Sequence, residues 1–179
     1  MGKRSDFKRV ERDYYPTPIE AVVPLVNHLP QQFNYIEPCA GDSRLVRHID
    51  QLTQGQGRCP YACDIEPQHP DIIQRDALEI TKDQLPIVDL CITNPPWDRK
   101  FLHPFIDHWI DICPTWLLFD ADWMHTKQSA PYMTHCRSIV SVGRVKWFGN
   151  MTGKDNCCWY LFDANNKSQT TFHGRNINE

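Results

Sequence analysis

Four short apolar runs, each stopping at a polar cluster, limit most strongly how this chain folds. Residues 33–36 run into Glu37-Pro38-Cys39-Ala40-Gly41-Asp42-Ser43, and residues 60–63 into Asp64-Ile65-Glu66-Pro67. Residues 72–74 run into Arg75-Asp76-Ala77-Leu78, and residues 88–93 into Asn94-Pro95-Pro96-Trp97. A sheet with one wet face alternates apolar and polar side chains, so short, nearly continuous apolar runs predict strands covered on both faces. Between them the period changes to that of helices. Ile19, Val22, Val23, Leu25, Val26 and Leu29 form a stripe over residues 19–29, with Thr17 as the predicted N-cap and Pro18 at the first helical position. Further helices are expected at 43–52 and 101–112, and a weaker one at 128–136. Strands at 115–119, 138–148 and 157–163 bring the total to seven. This alternation predicts an α/β chain folded as an αβα sandwich, its sheet mostly parallel with an antiparallel final strand.

A chain of 179 residues with 41% hydrophobic composition is long enough for one well-buried domain and too short for two of ordinary size. The expected division is a basic tail over residues 1–13 and a single domain over 14–179. The opening residues lack an apolar signal core, and no apolar run approaches twenty residues, so a cytoplasmic protein with no membrane partner is expected. The eight cysteines form no CxxC pair and several lie inside apolar runs, which points to buried free thiols and no metal. Cys59, Cys63 and His69 are the nearest approach to a ligand cluster. A net charge of −3 argues against coating nucleic acid by bulk electrostatics. Local basic stretches remain, one at Lys3, Arg4, Lys8, Arg9 and Arg12, another at Arg137, Arg144, Lys146 and Lys154. Each has a plain alternative as a solvated segment.

The polar clusters carry the chemistry. In open α/β sheets ligands bind beyond the carboxyl ends of the strands, near the point where strand order reverses. The small residues around Gly41 let the backbone turn sharply and approach a ligand before a helix begins, although a purely structural turn would look similar. Asp64, about twenty residues further on, suits a carboxylate accepting from ribose hydroxyls. Asp76 is placed to accept from an adenine amino group. Either acid alone also reads as an N-cap or turn residue. Asn94-Pro95-Pro96-Trp97 is the most informative element. Two prolines stiffen the bend and remove two amide donors, leaving the Asn94 side-chain oxygen and the Pro95 carbonyl as acceptors for a planar amino group.

These residues resemble a known family. Asn94 to Trp97 matches the [Asn/Asp/Ser]-Pro-Pro-[Tyr/Phe/Trp] motif of amino methyltransferases. Glu37 to Gly41 resembles their first S-adenosylmethionine motif, and Tyr15-Pro16-Thr17-Pro18 resembles the cofactor-contacting segment of N6-adenine DNA methyltransferases of phage or bacterial type. The resemblance covers roughly residues 14–163 and implies a Rossmann-like class I methyltransferase fold with S-adenosylmethionine as cofactor. It implies that Tyr15, Pro16, Thr17, Glu37, Cys39, Ala40 and Gly41 meet the methionine end, Asp64 and Ile65 the ribose region, and Asp76 and Ala77 the adenine. Asn94 and Pro95 would hold the target amine, Asn94 also meeting the cofactor, Pro96 would fix the bend, and Trp97 would stack on the base. The implied substrate is nucleic acid, DNA ahead of RNA, with a protein glutamine amide as another amino substrate and a catalytically silent binding module as the non-enzymatic alternative. Arg99, Lys100, Lys146, Trp147 and Phe148 are candidates for backbone and stacking contacts. The chain departs from the family in two ways. Ser43 stands where a further glycine is common, and no separate target-recognition region follows the motif, so the expectation is either little intrinsic sequence specificity or a protein partner that supplies it.

Overall fold

The computed structural model describes residues 14–147 and 155–175; the basic tail, Phe148 and Lys154 lie outside them. One sheet of eight strands organises the molecule: β1 (Phe33–Glu37), β2 (Gly57–Asp64), β3 (Ile73–Gln74), β4 (Leu90–Thr93), β5 (Thr115–Asp120), β6 (Cys136–Gly143), β7 (Cys157–Phe162) and β8 (Thr171–His173). Their order across the sheet is β3-β2-β1-β4-β5-β7-β6-β8. The chain builds outward from β1 through β2 to β3, then returns to lay β4 against the other side of β1. Strand order therefore reverses between β1 and β4, where Ile36 pairs with Cys91.

Both faces of the central strands β1, β4, β5 and β7 are buried, as their nearly continuous apolar runs require, while the edge strands β3 and β8 stay largely exposed. Trp116 and Leu118 of β5 join Leu90 and Ile92 in a core under α1 (Ile19–Val26) and α2 (Arg44–Thr53). Leu117 and Phe119 point the other way, into a core with Leu102, Phe105, Ile106 and Trp109 of α3 (Arg99–Ile110). Trp159 of β7 locks α1 onto the sheet by donating its indole N–H to the Ala21 carbonyl at 2.7 Å.

The α/β sandwich agrees with the sequence, with corrections in detail. The sheet has eight strands where seven were expected. The final one, β8, runs parallel to β6, and the antiparallel strand is β7, inserted between β5 and β6. Thr-Phe-His in β8 is too short and too exposed to leave a period in the sequence. α1 ends at Val26 rather than Leu29, because Pro30 disfavours helical geometry at the residue before it. Pro18, not Thr17, occupies the N-cap position of α1. The helix expected over 128–136 shrinks to α4 (Ala130–Met133), since Cys136 is taken into β6 opposite Phe162. β6 stops at Gly143, whose φ of +85° breaks the ladder five residues short of the expected end.

Ser43 carries a left-handed backbone, φ 64° and ψ 12°, at the position where a glycine is common. Its hydroxyl makes no cap hydrogen bond to α2, and Arg47 reaches back to it instead. A left-handed L-residue costs about 1–2 kcal/mol, while glycine returns about 0.5–1 kcal/mol through the freer unfolded chain. Ser43→Gly is therefore expected to raise the melting temperature by about 1–3 °C, and a lower one would show that the Arg47 contact outweighs the strain.

Candidate functional site

A cavity of about 600 Å³ opens beyond the carboxyl ends of β1, β2 and β4, at the reversal point. Its wall is built from strand ends. β1 delivers Glu37 and the turn Pro38-Cys39-Ala40-Gly41-Asp42, β2 delivers Asp64, Ile65 and Glu66, and β4 delivers Asn94 and Pro96. Asp76, Ala77 and Leu78 close one side, and Tyr14, Tyr15, Pro16 and Thr17 cross over from before α1.

Gly41 is required where it stands. Its φ is +50°, and a Cβ there would lie 2.7 Å from Cε2 of the Tyr14 ring. The turn is held from β2: the Gly41 amide donates to Asp64 Oδ2 at 2.8 Å, and the Glu66 amide to Asp64 Oδ1 at 2.8 Å. The Ala40 amide donates to the Cys63 carbonyl, and the Gln68 amide to the Gly41 carbonyl. Asp64 thus fixes the glycine turn and also lines the cavity. Asp76 combines roles in the same way, its Oδ1 accepting from the Leu78 amide at 2.9 Å.

Glu37 is the unusual group. It is 1% exposed; Oε1 accepts from the Thr93 hydroxyl at 3.0 Å, whereas Oε2 is buried with no hydrogen-bond partner among the described residues. Burial pushes its carboxyl well above the usual carboxylate range, with Asp64 and Asp42 adding to the rise and the Thr93 bond opposing it. A raised folded-state pKa favours folding below the unfolded value and loses that contribution as pH rises through the folded one. The ligand-free protein is expected to lose stability with increasing pH above the ordinary carboxylate range. Glu37→Gln should flatten that slope in melting curves taken across pH; an unchanged slope would assign the loss to another group. Cys39, in the same wall, also has its pKa raised by burial, so near neutrality it offers a neutral thiol and not a nucleophile.

Asn94 is held on three sides. Its Nδ2 donates to the Tyr15 carbonyl at 3.0 Å and to Thr17 Oγ1 at 3.2 Å, and its Oδ1 accepts from Trp97 Nε1 at 3.0 Å. These partners fix which end of the amide is oxygen, and they employ the Thr17 hydroxyl that the sequence assigned to capping. The same Trp97 N–H also points at the Leu118 carbonyl, 3.1 Å away.

All twelve residues that the resemblance assigned to the cofactor line this one cavity: Tyr15, Pro16, Thr17, Glu37, Cys39, Ala40, Gly41, Asp64, Ile65, Asp76, Ala77 and Asn94. Of the four that the resemblance assigned to catalysis, Asn94 and Pro96 line it, while Pro95 and Trp97 do not. Trp97 is turned into the protein, edge-on to Trp147 at 5.5 Å, because its indole N–H finds two acceptors there. The sequence reading overlooked Tyr14, Arg44, Phe101 and Phe105 as lining residues. Tyr14 had a signal, its place beside the Tyr-Pro-Thr-Pro segment; Arg44, paired with Asp42 at 2.9 Å, had none. Lys100 lines the cavity, whereas Arg99 bonds Gln128 at 2.8 Å.

No protein-family model matches the chain, and no curated protein matches it. Solved structures do. A type I restriction-modification methyltransferase subunit from Streptococcus thermophilus superposes with a TM-score of 0.61 at 9% identity, covering 89% of this chain and 47% of its own. A class I S-adenosylmethionine-dependent methyltransferase from Listeria monocytogenes gives 0.58 at 12% identity, over 87% of this chain and 62% of its own. A dimethyladenosine transferase from Plasmodium falciparum gives 0.54 at 14% identity, over 83% and 62%. The fold is that of class I methyltransferases. The chain spans between about half and three fifths of the length of these structures. Within the methyltransferase fold, the cavity described above lies at the ligand end of the sheet, and its residues suit an adenosyl amino acid. The orphaned Glu37 oxygen offers an acceptor for an ammonium, Asp64 and Asp76 offer acceptors for hydroxyl and amino groups, and Ile65 and Leu78 offer apolar cover. Among the described residues no helix is long and apolar enough to cross a membrane.

Proposed function

We propose that this protein binds S-adenosylmethionine and transfers its methyl group directly to the exocyclic amino group of adenine in DNA. The observation that carries the reading is the placement of Asn94. Its amide is anchored at the end of β4, in the wall of the cavity that also contains Glu37, Gly41 and Asp64. Glu37, Cys39, Ala40 and Gly41 with Tyr15, Pro16 and Thr17 hold the methionine end of the cofactor, Asp64 and Ile65 the ribose region, and Asp76 and Ala77 the adenine. When bound, S-adenosylmethionine supplies an activated methyl on a sulfonium.

The chain's own task is positioning. A carbonyl oxygen has two lone pairs, so Asn94 Oδ1 keeps one beside the Trp97 bond and receives a hydrogen of the target amine there; the Pro95 carbonyl, outside the cavity wall, is not assigned the second. That arrangement draws the hydrogen back and leaves the nitrogen lone pair facing the methyl. A base inside a duplex cannot enter such a cavity, so duplex substrate is flipped and single-stranded substrate enters at lower cost. Lys100 at the cavity wall is assigned to backbone phosphate. Residues 14–179 act as one catalytic domain, and choice of target sequence is either low or supplied by a protein partner.

The reading is tested by offering labelled cofactor to unmethylated duplex DNA, single-stranded DNA, total RNA and a protein lysate. Label entering DNA is the expected result. Label confined to RNA or to protein would keep the amino methyltransferase and replace the substrate, and cofactor binding without transfer to any of them would favour a silent module.

A further inference from the structure

The proline-proline-aromatic bend suggests an aromatic platform for the base, but Trp97 is not placed as one. Its ring is absent from the cavity wall, half-buried against both cores, and meets Trp147 edge-on at 86°. Trp147 in turn meets Tyr15 edge-on at 6.1 Å, so the two indoles form a wedge behind the segment that Asn94 anchors. The polar edge of Trp97 bonds the site directly, through the 3.0 Å contact to Asn94 Oδ1. Phe101, by contrast, lines the cavity and is half exposed.

Building on the amine-site reading of Asn94, we propose that Trp97 is a positioning residue, whose indole N–H sets the orientation of the Asn94 amide instead of stacking on the substrate base. An asparagine amide has two nearly isosteric orientations, and only one turns the oxygen toward an incoming amine. Tyr15 and Thr17 take the donors of Asn94, and Trp97 takes one oxygen lone pair; these three bonds select a single orientation and leave one acceptor lone pair for substrate. A benzene ring could stack on a base but cannot make this bond. The chemistry of the fourth motif position is therefore carried here by nitrogen rather than by the ring face.

The discriminating variant is Trp97→Phe, which keeps an aromatic ring and removes the N–H. A positioning role predicts a fall in kcat of about ten- to hundredfold, with KM for nucleic acid and cofactor affinity each held within about twofold. A stacking role predicts the reverse, kcat retained because phenylalanine also stacks, and that result would overturn the proposal. A second readout does not depend on activity. In the nitrogen–proton spectrum of the full chain, the Trp97 indole resonance is expected to move on Asn94→Ala and to stay in place when nucleic acid is added. An indole signal that ignores Asn94→Ala, or that takes a ring-current shift from added bases, would overturn the assignment even if the wild-type protein transferred no methyl to any substrate and the amine-site reading itself had failed.

Discussion

Replacing Asn94 with alanine is expected to lower methyl transfer by about two to three orders of magnitude while leaving S-adenosylmethionine affinity within about threefold. The two effects separate because Asn94 serves two sides of the site. Its oxygen is the acceptor that holds the target amine, and no neighbouring group replaces it: Thr93 is committed to Glu37, and the Pro96 side chain has no polar atom. Its Nδ2 bonds to Tyr15 and Thr17, by contrast, only trim a segment that is also held by packing. Thr17 is 5% exposed, and α1, which begins two residues later, is fixed to β7 by the Trp159 bond. Single-turnover transfer and calorimetric titration of the cofactor, run on the same preparation, measure the two quantities. Equal losses in both would mean that Asn94 acts by holding the Tyr15–Thr17 segment and not by meeting the amine.

Gly41→Val is expected to weaken cofactor binding by about ten- to hundredfold, a loss of roughly 1.4–2.8 kcal/mol. Two costs combine. A β-branched residue at φ +50° is strained, and its Cβ would sit 2.7 Å from the Tyr14 ring, pushing Tyr14 or the turn away from the cavity they both line. The turn cannot yield freely, because the Gly41 amide and carbonyl are both engaged, to Asp64 and Gln68. A double-mutant cycle isolates the second cost. If the ring contact dominates, Gly41→Ala made in a Tyr14→Ala background costs little more than Tyr14→Ala alone; if the strain dominates, the two losses add.

Much of the site was legible because strand ends are punctuated in sequence. Glu37, Asp64, Asp76 and Asn94 each follow an apolar run, and the fold needs no more than those runs to bring the four together. Sequence shows less well what a polar group does once two partners compete for it. Thr17 has the composition of an N-cap, yet its hydroxyl bonds Asn94, a partner 77 residues away that no local pattern reveals. Trp97 has the composition of a stacking platform, but the Leu118 carbonyl and Asn94 Oδ1 turn its indole inward. β8 was invisible for a different reason. Three half-wet residues at the sheet edge need little hydrophobic pattern, since backbone pairing with Ser138, Ile139 and Val140 places them. Ser43 was noticed as a departure, but only backbone geometry shows that it stands in the left-handed conformation that favours glycine.

The measurement that bears most directly on the central claim is the chemical identity of the product. Unmethylated DNA incubated with the protein and labelled S-adenosylmethionine is digested to nucleosides and resolved by mass spectrometry, with Asn94→Ala alongside. Label in N6-methyladenosine of the deoxy series, absent from the Asn94→Ala reaction, is the predicted result. Label in another nucleoside, or equal label with and without Asn94, would contradict the assignment of this bend as the site where an adenine amine is held.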